Sequence, residues 1–502
     1  MPQIDADFLA LPLRTLADAA LDKARGLGAE HADFRLERIR TQDLSLRDAT
    51  LESSADHEVV GFAVRVIHGG SWGFASSLIL TPDEAVRVAE QAVEVAAVAG
   101  RMTAERVELA PEPVHHDVTW VSSYELDPFT VDTGDKVELL AKRSRGLLEA
   151  GGIAHVSAAL QQVKEQKFYA DSHGTVTTQQ RVRLQSGFEA HATDPDSGRF
   201  DSMSTLAPPV GRGYEFVAGN DHWDWDAELR ELPDHLRAKL KAPTVEPGSY
   251  DLVIDPTNLW LTIHESIGHA TELDRALGYE ANYAGTSFAT PDKLGTLQYG
   301  SPVMNVTGDR TIEHGLASVG YDDEGVAAQS WDIVRDGVLV GYQLDRRIAA
   351  LFGYDRSNGC AFADSPSHIA IQRMANVSLR PAPDGPSTED LIARVDRGIY
   401  VVGDRSWSID MQRYNFQFTG QRFFAIENGR LAGQLRDVAY QATTTDFWGS
   451  MEAVGGPRTW MLGGAFNCGK AQPGQIAPVS HGCPSALFRG VRVLNTTRES
   501  GR

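Results

Sequence analysis

A chain of 502 residues, 42% hydrophobic and 23% charged, is long enough for more than one packed core and ordinary in its balance. Its 68 acidic against 47 basic side chains leave a net charge of −21, which argues against broad binding to nucleic acid or anionic membrane and favours a soluble, cytoplasmic protein. Only three cysteines occur, Cys360, Cys468 and Cys483, and no apolar run is long enough to span a bilayer, so neither a disulfide scaffold nor a membrane-spanning class fits.

The opening, Met1 to Asp7, is acidic and lacks the basic and apolar regions of a signal peptide. Leu13, Leu16, Ala17, Ala20, Leu21 and Ala24 then recur at helical spacing, and Gly26 and Gly28 end the helix they define. Strand patterns follow over 32–39, 43–47 and 59–67, and Gly69-Gly70 turns the last of these into 72–75 as a hairpin. Helices are expected over 86–99, ending at Gly100, and over 137–150, ending at Gly151-Gly152. The stretches 154–163, 165–170 and 175–185 read as a meander with Ser172-His173-Gly174 at one turn. Helices and strands mixed in this order, with tight hairpins, predict an α+β fold rather than a doubly wound sheet.

Proline and glycine interrupt the pattern between Lys241 and Gly248, just after a charged helix. That places a boundary between an N-terminal α+β domain, residues 1–242, and a C-terminal domain, residues 243–502. The second half opens with a strand over 250–254, and Asp255-Pro256 supply an N-cap and a first helical residue. Strands are expected over 315–319, 330–335, 338–344, 400–402, 417–426 and 431–438, with Asp336-Gly337 and Asn428-Gly429 as hairpin turns. Short helices are expected over 345–352, ending at Gly353, and over 443–451. The coarse picture is a β-rich domain of antiparallel sheets around one ligand-bearing helix.

That helix carries Leu259, Trp260, Leu261 and Ile263 and then reaches His264-Glu265-Ser266-Ile267-Gly268-His269. Two imidazoles and a carboxylate within six residues suit a zinc hydrolase, in which the glutamate takes a proton from water. The familiar motif spaces its histidines by four, whereas here they are five apart, about 140° around an α-helix axis and too far to share one ion. A π-bulge adds one residue to a turn and brings them back to one face, and Gly268 lies inside the turn that has to widen. Read alone, the hexapeptide is equally compatible with a buried helix and two incidental histidines, though a buried Glu265 then needs another partner.

Further along, 463–470 reads Gly-Gly-Ala-Phe-Asn-Cys-Gly-Lys and 479–484 reads Val-Ser-His-Gly-Cys-Pro. Cys468 sits between an apolar run and a glycine, with Lys470 near enough to favour its thiolate. A small buried hydrophobe is the alternative for any free cysteine. By residue type Cys468 and Cys483 are nearly equal as a third ligand, with His481 behind them.

The run His264 to Asp274, the Gly278 to Ala281 segment and the terminal Asn467 to Lys470, together with 32–36, 61–65 and 73–74, resemble the TldD/PmbA family of metallopeptidases over nearly the whole chain. By position the resemblance implies zinc held by His264, His269 and Cys468, with Glu265 catalytic. It also implies an N-terminal α+β domain, a β-rich catalytic domain and a cytoplasmic dimer, either a homodimer or a heterodimer with a PmbA/TldE-like sister that lacks the motif. Because this chain keeps the motif it is similar to the active, TldD-like member. The family implies substrates that are unfolded peptides or small proteins, bound extended, with no nucleic acid and no membrane as partner. Two other classes remain at this point: a non-catalytic subunit whose metal is closed off by a fourth protein ligand such as Cys483 or His481, and a zinc hydrolase of a non-peptide amide.

Overall fold

In the computed structural model, which describes residues 3–103 and 105–499, the strand patterns over 32–39 and 43–47 run together as one strand, β1 (His31–Arg47). Met1 and Pro2 of the acidic opening and the last three residues of the 243–502 span lie outside the described residues. The fusion has a simple cause. No turn residue separates the two patterns, and β1 is paired along nearly its whole length on both sides, by β2 (Thr50–His68) and β5 (His155–Asp171). The expected break at 163–165 vanishes inside β5 for the same reason. β3 (Ser71–Ser77) follows β2 through Gly69 and Gly70, both at positive φ, as a two-residue hairpin requires. With β4 (Val118–Val121), β6 (Val176–Thr193) and β7 (Phe200–Ser204) the sheet runs β3-β2-β1-β5-β6-β4, with β7 on β6. All pairings are antiparallel except β4 with β6.

Two pairs of helices cover this sheet. Leu13–Gly26 and Pro82–Ala99 bury Leu16, Ala20, Val88 and Ala92 against Phe34, Leu36, Phe62 and Val64. Thr133–Glu149 and Trp225–Lys241 bury Leu140, Leu147, Leu232 and Leu236 against Leu44, Leu160, Leu184 and Phe188. Each fully buried Leu or Phe contributes roughly 1.5–3 kcal/mol, so each pair of helices is held chiefly by its apolar face. No helix of the described residues is long and apolar enough to cross a membrane.

The second half begins at β8 (Gly248–Ile254). A small sheet follows, built from β9 (Val306–Asp309), β10 (Ser330–Arg335), β11 (Val338–Leu339) and β14 (Asn376–Leu379), with β12 (Ala361–Phe362) and β13 (Ile371–Gln372) as a separate short pair. Then come β15 (Arg397–Ile409), β16 (Asn415–Glu427), β17 (Arg430–Leu435), β18 (Val438–Thr443), β19 (Met451–Val454), β20 (Met461–Lys470), β21 (Gln475–Cys483) and β22 (Ala486–Asn495). β8, β22, β18, β16 and β15 close into a five-stranded barrel, filled by Leu252, Ile399, Phe416, Phe418, Tyr440 and Val493 among others. The fold is therefore α+β, with its β-rich half arranged around the motif-bearing helix.

Three local expectations need correction. The sheets are not wholly antiparallel, because β8 and β15 pair in parallel, joined by a crossover that contains the motif and the small sheet. Residues 315–319 form a loop rather than a strand: Leu316 N donates to Ser480 Oγ and Ala317 N to the Asn376 side chain, so ladder partners are replaced by side chains. Of the expected 338–344 strand Val338–Leu339 pairs as a strand, and Gln343 adds one isolated parallel bridge to Glu272.

A buried ionic chain ties the halves together. Arg65 on β2 lies 2.7 Å from Asp33 on β1 and 2.8 Å from Glu324 in the second half. Burial alone raises the Asp33 carboxyl, but Arg65 and His31 more than reverse this and hold it at about 2. A folded value below the unfolded one means stability that is complete above about pH 4 and lost as the pH falls towards 2. The stability gap between the native protein and Asp33→Asn, on the order of 2 kcal/mol at neutral pH, is expected to narrow as the pH drops from 5 to 3. Urea unfolding midpoints at each pH check it, and a constant gap rejects the assignment.

Candidate metal centre

Asp255 caps the ligand helix, its side chain accepting from Thr257 N, and Pro256 occupies the first turn. The α-helix runs Pro256–Ile263 and then widens into a π turn over His264–Gly268, in which His269 N donates to His264 O five residues back. A widened turn misplaces carbonyls, and here buried side chains collect them. Tyr299 Oη donates to Ser266 O, Thr271 Oγ1 to Ile267 O at 2.8 Å, and Gln343 Nε2 to Gly268 O at 2.7 Å. Gly268 has a second reason to be glycine: a Cβ there would meet Met374 Sδ at 2.5 Å. The result is that His264 and His269, five apart in sequence, stand with ring centroids 4.6 Å apart.

Their free nitrogens follow from the hydrogen bonds of the others. His481 Nδ1 lies 2.8 Å from Val377 O, so it carries the proton and donates. Burial holds His481 well below its ordinary value, and the neutral ring's Nε2 is then an acceptor. His264 Nδ1, 2.7 Å from that nitrogen, must donate to it, which leaves the His264 Nε2 lone pair free. His269 Nδ1 donates to Glu272 Oε2 at 2.8 Å, which frees its Nε2 towards Cys468 Sγ, 3.6 Å away. Burial keeps both imidazoles below their ordinary value, in the neutral form that a metal ligand needs.

Cys468 lies on β20, where one extra residue between Ala465 and Cys468 bulges the strand against β21 and sets the direction of the thiol. Burial alone raises this thiol. His269, when its ring holds the proton that the pair shares in the metal-free site, and Arg373 outweigh that and bring it below its ordinary value. Lys470, expected to favour the thiolate, is spent elsewhere: its Nζ reaches Asp274 at 2.8 Å, Gln372 O at 2.9 Å and Glu272 at 3.1 Å. It thereby fixes Glu272, and through Glu272 the ring of His269. Cys483 faces Pro256 O at 3.6 Å, and burial pushes its thiol well above the ordinary value. Packing thus gives the two cysteines different neighbours, His269 for Cys468 and Pro256 O for Cys483.

His264, His269 and Cys468 therefore bring one nitrogen each and a sulfur within 4.8 Å of one another, and all three are buried. Zinc takes nitrogen at 2.0–2.1 Å and sulfur at about 2.3 Å, which sets ligand atoms about 3–4 Å apart, so the donor set fits that ion in kind and in spacing. Among the described residues this is the one His/Cys/Asp/Glu group so arranged. Glu265 is buried beside it and accepts a hydrogen bond from Arg413 Nη1 at 2.7 Å. Arg413 sits in the β15–β16 turn at φ 61°, and its second nitrogen reaches Ala284 O at 3.4 Å. Three partners escaped the sequence reading: His481 as the orienting base for His264, Glu272 for His269, and Arg413 for Glu265. Glu272 alone had a local signal, three residues beyond His269 and within one turn's reach.

The family model described as "PmbA/TldA metallopeptidase C-terminal domain" matches residues 247–495, and that described as "PmbA/TldA metallopeptidase domain 1" matches 32–96. A protein named metalloprotease from Methanothermobacter thermautotrophicus is 28% identical over 98% of this chain and its own whole length. A zinc metalloprotease TldD homolog from Saccharolobus solfataricus is 24% identical, covering 94% of this chain and 98% of its own. The crystal structure of a protein from Thermotoga maritima, described as a putative modulator of a DNA gyrase, superposes with a TM-score of 0.75 at 17% identity, over 96% of this chain and 100% of the other. That last likeness bears on fold alone.

Proposed function

Because the chain belongs to the PmbA/TldD metallopeptidase family, we propose that it is a zinc peptidase of the HExxxH type, with His264, His269 and Cys468 as ligands and Glu265 as general base. The supporting observation is the convergence of exactly those three donor atoms while His481 and Cys483, the candidates for a fourth, are committed to other partners. That commitment favours a site with a position left for chemistry over a closed structural one.

When bound, zinc supplies Lewis acidity that acidifies water and polarises a carbonyl. The chain's residues do the rest. Glu265 accepts the proton from water and returns it to the leaving amine. Arg413 holds that carboxylate in one orientation. His481 and Glu272 fix the two imidazoles, so the donor nitrogens are aimed before any substrate arrives.

Extended, unfolded peptides are the proposed substrates. Among the described residues β20, which carries Cys468, has β21 as its one ladder partner, and its other edge, upstream of the Cys468 carbonyl that Arg373 already holds, is where we place an added strand. Strand addition grips backbone and tolerates many side chains. We take the chain as the metal-bearing subunit of a cytoplasmic dimer, a homodimer or a pair with a PmbA/TldE-like sister, acting on no nucleic acid. The test is zinc content measured alongside cleavage of reduced, carboxymethylated α-lactalbumin. One zinc per chain is expected, with cleavage lost to a chelator and restored by zinc; cleavage that persists in metal-free protein, or none in zinc-loaded protein, rejects the reading.

A further inference from the structure

Between β6 and the loop at 310–320 lies a cavity of about 360 Å³ that the metal centre does not use. Trp120, Ile312 and Leu316 give it apolar walls, and Arg181, Arg183 and Arg310 line it together. The charges do not balance. Arg181 and Arg183 share one carboxylate, Glu165, at 2.9 and 3.0 Å for the first and 3.1 Å for the second. Arg310 is 2% exposed, and among the described residues its side chain has no hydrogen bond and no ion pair.

Asp322 and Asp323, which line a small cleft with Arg310 and act on it electrostatically without a hydrogen bond or ion pair to it, are already engaged. Asp322 accepts from the backbone N–H groups of Glu324, Val326 and Ala361, and Asp323 receives Lys167 Nζ and Ala363 N, both at 2.7 Å. The one acid in the lining, Glu313, is exposed and turned to His314 at 3.5 Å. A buried guanidinium without a partner is among the costliest groups a fold can carry, and its persistence argues for an anion that arrives from outside. A cavity of this size with apolar walls is too large for a bare oxyanion and suits one that carries an organic body.

The cavity's lining touches the two strands that carry Cys468 and His481. Leu316 N donates to Ser480 Oγ, next to His481. The Arg183 guanidinium lies 5.9 Å from the Phe466 ring, and Phe466 is two residues before Cys468 and buried as it is. We propose that this cavity binds a carboxylate on an apolar body, with Arg310 as the receiving cation, the chemistry of a peptide's C-terminal residue or of a small organic acid. The proposal rests on the peptidase reading only for the peptide as the owner of the carboxylate.

The test uses the full-length protein and reads binding, not turnover. N-acetylleucine is expected to raise the Tm in a saturable way, and N-acetylleucinamide, which lacks the charge, to leave it unchanged. Arg310→Met is expected to abolish the protection and, by removing an unpaired buried charge, to raise the Tm of the ligand-free protein. Ser123→Trp, which fills the cavity and keeps Arg310, is expected to lose the protection as well. A leucine-terminated hexapeptide in the Glu265→Gln background separates the two sources: tighter protection than N-acetylleucine assigns the carboxylate to a peptide, weaker protection to a free acid. Equal protection by the amide or by inorganic phosphate, protection that survives in either variant, or a lower ligand-free Tm for Arg310→Met overturns the proposal.

Discussion

Glu265→Gln is expected to keep its zinc and lose peptide cleavage by about 10²–10⁴-fold in kcat, the range that a positioned general base contributes. The expectation follows from what the carboxylate touches. Glu265 is not one of the three converging donors, so its change leaves the ligand set alone. The ligands are aimed by other groups, His264 by His481 and His269 by Glu272, so their orientation does not depend on position 265 either. Glutamine keeps the volume and keeps an oxygen to accept from Arg413 Nη1, which now lies 2.7 Å from the carboxylate. What disappears is basicity. Metal analysis of the purified variant beside steady-state cleavage separates the two effects, and undiminished cleavage removes Glu265 from the mechanism.

The parts of this centre that were legible in the sequence are those whose physics is local. Spacing alone showed that histidines five apart could not meet on a regular α-helix, and the π turn over His264–Gly268 is the local answer. Capping by Asp255-Pro256 and the glycine turns at 69–70, 336–337 and 428–429 are equally local, and the backbone has positive φ at each of those turn residues. Non-local partners left no such trace. His481 orients His264 across 217 residues and Arg413 reaches Glu265 across 148, so nothing near either histidine or Glu265 announces them. The parallel closure of β8 with β15 is hidden for the same reason, since pattern tells a strand from a helix but not which distant strand lies beside it. The loop at 315–319 shows the converse error: an apolar run can be buried through side-chain acceptors such as Asn376 and Ser480 without joining a ladder.

The second large effect separates two cysteines that composition could not. Cys468→Ala removes the cysteine sulfur that, among the described residues, groups with the two free imidazole nitrogens, and zinc affinity is expected to fall by more than about 100-fold, beyond the 10–100-fold typical of losing a group that merely orients a ligand. Cys483→Ala takes away a sulfur that faces Pro256 O in the core, so it is expected to cost about 1 kcal/mol in packing and nothing in metal. The two changes thus move two observables in opposite ways. Zinc per chain after dialysis against a weak chelator should drop in the first variant and hold in the second, while the melting temperature of zinc-free protein should fall for Cys483→Ala. Zinc lost from Cys483→Ala but retained in Cys468→Ala would mean that the sulfur ligand comes from the end of β21 and not from the bulge of β20. The bulge is what makes that outcome unexpected: it places an extra residue in β20 just before Cys468, and the thiol there has the His269 imidazole 3.6 Å away to share a metal with.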